Sequence, residues 1–221
     1  MISGVIFDCD GTIVDSRHLI LPFYRWVFEQ VGLPPIDTSD PMVIAYLLSR
    51  SDEEVFERFA GEAGQRERLI TFLHGLDPAD FVSEMQLEPY ALEVLTELRP
   101  AHRLAIATNR GPDMHALVRH FEFDRYLDTV VTAADVEHPK PYPDMLLLAA
   151  ERMGLPAEDV LFVGDTPVDE EAAEAAGMPF LCYQRRSEEP PGFAWEPRGD
   201  GCLRDLRELP PRIHEMNGPA G

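Results

Sequence analysis

Four short runs of this chain are apolar almost from end to end: residues 4–8 (GVIFD), 103–108 (RLAIAT), 160–165 (VLFVGD) and 179–184 (PFLCYQ). A fifth, weaker run lies at 128–132 (DTVVT). A strand with one wet face alternates apolar and polar residues, whereas a strand covered on both faces reads as a continuous apolar run. These runs therefore predict a parallel sheet buried between two layers. Helical patterns at 112–121, 142–153 and 167–176 separate them, the last closed by Gly177 as a C-cap. Strands and helices in alternation predict an α/β fold with a doubly wound, Rossmann-like parallel sheet.

One interval breaks the alternation. Residues 15–88 hold no convincing strand but carry amphipathic helical stretches at 16–31, 41–49, 52–60, 65–74 and 78–86. A helix at 89–99 then leads back to the sheet. An interval of this size is far too long for a crossover loop, so we expect an all-helical cap domain at 15–88. It would be inserted into a discontinuous core made of 1–14 and 89–221. Near the other end, 186–201 is Pro/Gly-rich and reads as loop, 202–209 reads as a short helix, and the final MNGPAG reads as frayed.

The formal charge of −21 argues against nucleic acid and anionic membrane as partners, because both call for basic surface. An anionic small molecule remains admissible if a metal or a few placed cations supply local positive charge. Three widely spaced cysteines (Cys9, Cys182 and Cys202) with no CxxC pair suggest a reducing, cytoplasmic setting without disulfides. The apolar start MISGVIF is cut short by Asp8 and lacks a basic region, so it reads as a strand rather than a leader. No run approaches the roughly 18–20 apolar residues of a membrane span.

The polar residues fall at informative places. Asp8 and Asp10 follow the first run, Thr108 ends the second and Asp165 ends the fourth. Open parallel sheets bind ligands outside the carboxyl ends of their strands. In extended chain Asp8 and Asp10 point to one side, roughly 6.6 Å apart, and their like charges call for a cation. Cys9, between them, points to the core. In GDTPVD (164–169), Thr166 fits an N-cap, Pro167 the first helical position and Asp169 the reciprocal place of a capping box. Asp165 has no such structural explanation. Arg110, two residues past Thr108, could reach an anion or only solvent. The histidines show no HxxxH or HExxH spacing, so zinc hydrolysis has no support. Lys140, in HPKPYPD (138–144), is the one lysine among 19 Lys plus Arg. A slot that takes a compact ammonium but refuses a planar guanidinium would explain it, and the flanking prolines restrict the backbone that presents it.

DCDGT, ATN, the lysine of HPKPYPD and GDTPVD resemble, in order and spacing, the four motifs of the haloacid dehalogenase-like superfamily. The resemblance runs from residue 4 to about 184 and is best to the phosphoglycolate phosphatase-like branch, whose helical cap follows the first motif. It implies a Mg²⁺-dependent phosphatase acting on a small phosphorylated metabolite. Asp8 would be the nucleophile that forms an aspartyl-phosphate, and Asp10 the acid and base. Thr108, Asn109, Lys140 and Arg110 would meet the phosphoryl group. The metal would take Asp8, the backbone carbonyl of Asp10, Asp165, and Asp169 either directly or at one remove. Asp10 argues against dehalogenation, which lacks an aspartate there. A β-phosphoglucomutase-like branch places a histidine where this chain has Ile20, with His18 off register. A phospho-accepting receiver domain would be shorter and space its acids differently, and a non-catalytic scaffold would not keep the whole set. Arg17, His18, Tyr24 and Arg25 are candidates to face the substrate, and the protein could be a monomer or a homodimer.

Overall fold

The computed structural model describes residues 1–77, 79–111, 113–185, 195, 197–198 and 202–218. Its strands are β1 (Gly4–Phe7), β2 (Val14–Asp15), β3 (Gln86–Leu87), β4 (Arg103–Thr108), β5 (Thr129–Thr132), β6 (Val160–Gly164), β7 (Phe180–Tyr183) and β8 (Cys202–Leu203). All but β2 and β3 form one parallel sheet in the order β5-β4-β1-β6-β7-β8. The chain thus starts at a central strand, winds outward through β4 and β5, then reverses and winds outward through β6, β7 and β8. Strands β4, which ends in Thr108, and β1 and β6, directly followed by Asp8 and Asp165, are immediate neighbours. Phe7 aligns with both Ile106 and Val163, so their carboxyl ends lie side by side.

Helices α1 (Arg17–Gln30), α2 (Pro41–Ser49), α3 (Asp52–Phe59), α4 (Ala63–His74) and α5 (Ala79–Val82) fill the interval before β3, and α6 (Ala91–Leu98) precedes β4. Helices α7 (Met114–His120), α8 (Asp144–Met153), α9 (Pro167–Ala176) and α10 (Leu209–Asn217) complete the chain. The pleat of β1 sends Val5 and Phe7 to one side and Ile6 to the other. Val5 and Phe7 join a core with Leu95 of α6, Leu117 of α7 and Ile213 of α10. Ile6 joins a second core with Met145 and Ala149 of α8 and Ala172 of α9. Both faces are covered, which is why the strands read as unbroken apolar runs. Cys9 is fully buried in the first of these cores.

A third apolar cluster belongs to α1–α4 alone and gathers Val27, Phe28, Val55, Phe56 and Leu69. Ser51 caps α3 in a reciprocal box with Glu54. The chain passes between this helical segment and the sheet through an antiparallel pair, Val14 opposite Leu87 and Asp15 opposite Gln86. That pair corrects the expectation of a strandless 15–88. Two-residue strands are too short to leave a periodic pattern, and their pairing comes from bringing two remote passages together. It also shortens the helix expected over 78–86, which spans only Ala79–Val82.

The C-terminal reading needs three further corrections. The short helix expected over 202–209 is only partly there: Cys202–Leu203 is an edge strand, a 3-10 helix spans Leu206–Glu208, and the regular α-helix starts at Leu209. Pro210 and Pro211 lie in the first turn of α10, where backbone N–H groups have no helical acceptor to lose. Asn217 is not frayed, since its side chain accepts from the Ile2 backbone N–H at 2.6 Å and donates to the Ile2 carbonyl at 3.3 Å. Cys182 and Cys202, opposite one another in the β7–β8 register, form a disulfide, leaving Cys9 as the free thiol. The expected absence of disulfides therefore fails. The sequence separates these cysteines by 20 positions, and only the sheet register makes them neighbours. Most of the 186–201 loop, and the last residues 219–221, lie outside the described residues. Among the described residues, no helix is long and apolar enough to cross a membrane.

Phe56 is fully buried, with its ring edge-on to Tyr24 at 6.3 Å and tilted against Phe28 at 6.2 Å. Phe56→Ala removes the centre of the only apolar cluster the helical segment owns among the described residues. The expected loss is about 3–5 kcal/mol of unfolding free energy, read from denaturant titration followed by circular dichroism.

Candidate active site

Asp8 leaves the end of β1 and the chain then doubles back tightly. Cys9 accepts backbone bonds from Thr12, Ile13 and Val14, while Gly11 donates to the Val14 carbonyl at 2.8 Å. Gly11 holds φ +79°, a conformation that favours glycine, and any Cβ there would strike the Asp165 carboxylate. This turn brings Thr12 under Asp165, to which its hydroxyl donates at 3.2 Å. Asp165 stands at the end of β6, directly before the Thr166 cap of α9.

Lys140 reaches in from the loop between β5 and α8. It is only 2% exposed, and its Nζ donates to Asp8 Oδ1 and Asp169 Oδ1 at 2.7 Å each. The Phe162 ring lies 5.3 Å from the ammonium. Asp169 serves two structures with its two oxygens. Oδ2 accepts from the Thr166 backbone and hydroxyl and completes the capping box, while Oδ1 holds the lysine. Gly164 makes the close approach possible, because a Cβ there would sit 2.6 Å from both Cβ and Cγ of Asp169.

Asn109 takes a different place from the one expected of a phosphoryl contact. Its Oδ1 accepts from the Lys140 backbone N–H at 3.0 Å. Its Nδ2 donates to the Lys140 carbonyl at 2.9 Å and to the Ser49 carbonyl, at the end of α2, at 3.0 Å. The amide side chain thereby positions the lysine loop and ties it to the helical segment, with its donors and acceptor used on backbone. Arg110 lines the cavity, but its guanidinium is spent on carboxylates. Its guanidinium grips Asp10 with two bonds, Nε to Oδ2 at 2.9 Å and Nη2 to Oδ1 at 2.5 Å, and pairs with Asp113. Ser16 also donates to Asp10. Thr108, nearly fully buried, accepts from the Arg110 backbone N–H at 3.2 Å and lines the same cavity.

The electrostatics follow from burial. Burial raises the Asp8 carboxyl well above the usual carboxylate range, Lys140 opposes it, and Asp169 and Asp165 add to it. Burial likewise pushes Asp165 up to about 6, against the pull of Arg17. Burial alone would raise Asp10 too, but the Arg110 guanidinium outweighs it and holds that carboxyl below its ordinary value. For Lys140 burial opposes the charge, and the Asp169 and Asp8 carboxylates more than restore it. One carboxylate oxygen from each of Asp8, Asp165 and Asp169 falls within a 4.8 Å cluster. Three buried acids face two cations, Lys140 and the Arg17 guanidinium, which meets Asp165 Oδ2 at 2.5 Å. The donors are all oxygen and carry excess negative charge, which fits a hard divalent cation.

The model of the haloacid dehalogenase-like hydrolases matches residues 5–183. The chain belongs to the haloacid dehalogenase-like hydrolases. A phosphoglycolate phosphatase from Shigella boydii is 30% identical over 203 residues, covering 80% of this chain and 79% of that one. A solved hydrolase of this superfamily, subfamily IA, from Geobacter sulfurreducens is 31% identical with a TM-score of 0.70, and the match covers 96% of this chain and 97% of that one. A predicted phosphoglycolate phosphatase from Haemophilus somnus, at 18% identity and a TM-score of 0.77 over 96% of this chain and 98% of that one, shares the fold.

In this haloacid dehalogenase-like hydrolase Asp8, Lys140, Asp165 and Asp169 meet within one hydrogen-bonded cluster, and Thr108 and Asp10 line the cavity above it. Of the residues considered for the substrate side, Tyr24 is buried at the cavity, whereas Arg25 is exposed and pairs with Glu29 and His18 lies exposed beside Asp15. Arg17 turns toward the acids rather than the helical segment. The sequence reading missed Asp52 and Asp113. Asp52 accepts from the Tyr24 hydroxyl at 2.8 Å, and burial pushes its carboxyl up to about 6. Both aspartates look locally like first-turn helix residues, and nothing in their spacing reveals that they meet.

The Lys140 slot is closed by two carboxylates and an aromatic ring. Lys140→Arg keeps the charge but brings a planar fork too wide for it. Activity is expected to fall about 100-fold or more and the melting temperature by several degrees, since overpacking a buried slot costs about 1–3 kcal/mol, checked by steady-state kinetics on the folded variant beside a thermal melt.

Proposed function

We propose that this protein is a Mg²⁺-dependent phosphatase that hydrolyses a small phosphomonoester through an aspartyl-phosphate on Asp8. The observation that carries this reading is the buried Lys140 ammonium bonded at once to Asp8 and Asp169 on the floor of a cavity. A nucleophilic carboxylate would repel a phosphate dianion unless cations lay beside both, and the cluster supplies one. The name of the Shigella boydii relative, phosphoglycolate phosphatase, agrees in reaction class.

Asp8, the Asp10 carbonyl and Asp165 would hold the metal, with Asp169 beside it. When bound, Mg²⁺ would neutralise charge on the phosphoryl oxygens and lower the repulsion between them and the acids. The remaining work falls to the chain. An Asp8 oxygen attacks phosphorus, and the bond from phosphorus to the leaving oxygen breaks. Asp10 gives that oxygen a proton, then takes one from the water that cleaves the aspartyl-phosphate. Lys140 spreads its charge over Asp8 and the transferring group, and the Thr108 hydroxyl can donate to a phosphoryl oxygen. Arg110 keeps Asp10 ionised, which suits the hydrolytic step. Delivery of the proton in the first step requires that ion pair to loosen as substrate enters. Residues 15–88, by this reading, are a cap over the site, with the core formed by 1–14 and 89–221.

Asp8→Asn is expected to lower phosphate release at least about 1,000-fold, and EDTA to abolish it, with Mg²⁺ restoring it. Retained activity in either case removes the mechanism. A second expectation concerns pH. The Asp165 carboxyl, raised to about 6 when folded, keeps its proton where the unfolded chain has lost it. Its contribution to metal-free stability is therefore present at acid pH and lost as pH rises through about 6. Mg²⁺ competes with that proton, so adding it to EDTA-treated protein should raise the melting temperature more at pH 7.5 than at pH 5.

A further inference from the structure

We infer that the ester cleaved here carries a bulky, uncharged, apolar leaving group, an aromatic or alicyclic alcohol rather than a short hydroxy acid. This inference rests on the phosphatase reading above and specifies its substrate. A single cavity of about 650 Å³ extends from Asp8, Asp10 and Lys140 into the helical segment. Its volume lies within the roughly 300–1,000 Å³ that encloses ligands of drug size. A phosphoryl group on a two-carbon acid would leave most of it empty.

Much of the lining contributed by the helical segment is apolar and ring-bearing. Phe23 and Trp26 of α1 and Phe81 of α5 form a mutual cluster, with Phe23 edge-on to Phe81 at 5.3 Å and Trp26 tilted on Phe81 at 5.7 Å. All three line the cavity and are half-buried, so each keeps surface for a ligand. Leu47 and Met85 continue that wall. Edge-on and tilted rings of this kind favour flat or alicyclic groups over anionic ones.

Charge on the same wall points the same way. Among the described residues lining the cavity, the basic residues other than Lys140 and Arg110 are Arg50 and His74. Arg50 is engaged, bonded to Glu54 at 3.2 Å and 5.6 Å from the centre of the Tyr46 ring. Asp52, Asp80 and Glu84 face the cavity as well. A leaving group with its own carboxylate would meet more acids than bases there, and would forgo the apolar wall.

The test compares kcat/KM of the Mg²⁺-loaded full-length enzyme for ethyl phosphate, 2-phenylethyl phosphate and 2-phosphoglycolate, with acetyl phosphate as a small reporter of phosphatase chemistry. The two alkyl esters have leaving alcohols of similar basicity and differ by the ring. The expected result is about 10- to 100-fold higher kcat/KM for 2-phenylethyl phosphate than for ethyl phosphate, with 2-phosphoglycolate below both. In Phe81→Ala the ratio of the two alkyl esters should fall about 5- to 10-fold, and a ratio is independent of how much of the variant is folded. Equal rates for the two alkyl esters, or 2-phosphoglycolate exceeding 2-phenylethyl phosphate while acetyl phosphate is hydrolysed, would overturn the inference and leave the phosphatase reading standing. No phosphate release from any ester, acetyl phosphate included, would overturn both.

Discussion

The buried ammonium of Lys140 is the interaction on which the site depends. Asp8, Asp165 and Asp169 converge at the carboxyl edge of the sheet with almost no access to solvent. Leaving one buried carboxylate without a partner costs several kcal/mol, so three together need compensation from within. Lys140 supplies it to Asp8 and Asp169, and Arg17 supplies it to Asp165. The remaining imbalance is what makes the cluster receptive to a divalent cation. The same charge arrangement that strains the metal-free site thus equips it to bind one.

Holding Lys140 in place takes more than its own loop. Asn109, at the end of β4, clamps both backbone polar groups of the lysine and reaches across to Ser49 of the helical segment. The capping box of α9 fixes Asp169 from the other side. A change in how the helical segment sits would therefore be felt first at Asn109, and through it at Lys140 and Asp8. Asp10 sits in a parallel arrangement, where Arg110 and Ser16 hold it and Asp113 shares the guanidinium. The acids thus sit in different environments: Asp8 and Asp165 are raised by burial, and Asp10 is lowered by its arginine.

Much of the fold was legible because the relevant signals are local. Continuous apolar runs announce a doubly covered sheet, and Thr166-Pro167-x-Asp169 announces the start of a helix. The clustering of Asp8, Thr108 and Asp165 could be read because each terminates a strand, and strand ends in a parallel sheet share an edge. What escaped was non-local. The β2–β3 pair joins residues some 70 positions apart through two-residue strands with no pattern of their own. The Cys182–Cys202 bond depends on a two-residue edge strand too short to leave a pattern of its own. Arg110 and Asn109 follow the strand end in the chain, but that their side chains bind Asp10 and backbone groups could not be read from it.

The sequence by itself determined the chemistry available: which strand ends carry acids, where the single lysine enters, and that a helical insert follows the first motif. Those facts depend on residue type and on short-range periodicity, which a linear chain records directly. Only the tertiary structure decided how the acids share their cations, and which groups line the space above them. Charge pairing and cavity shape are set by distances between residues remote in the chain. Hydrophobic burial determines those distances for the molecule as a whole, so no single stretch encodes them.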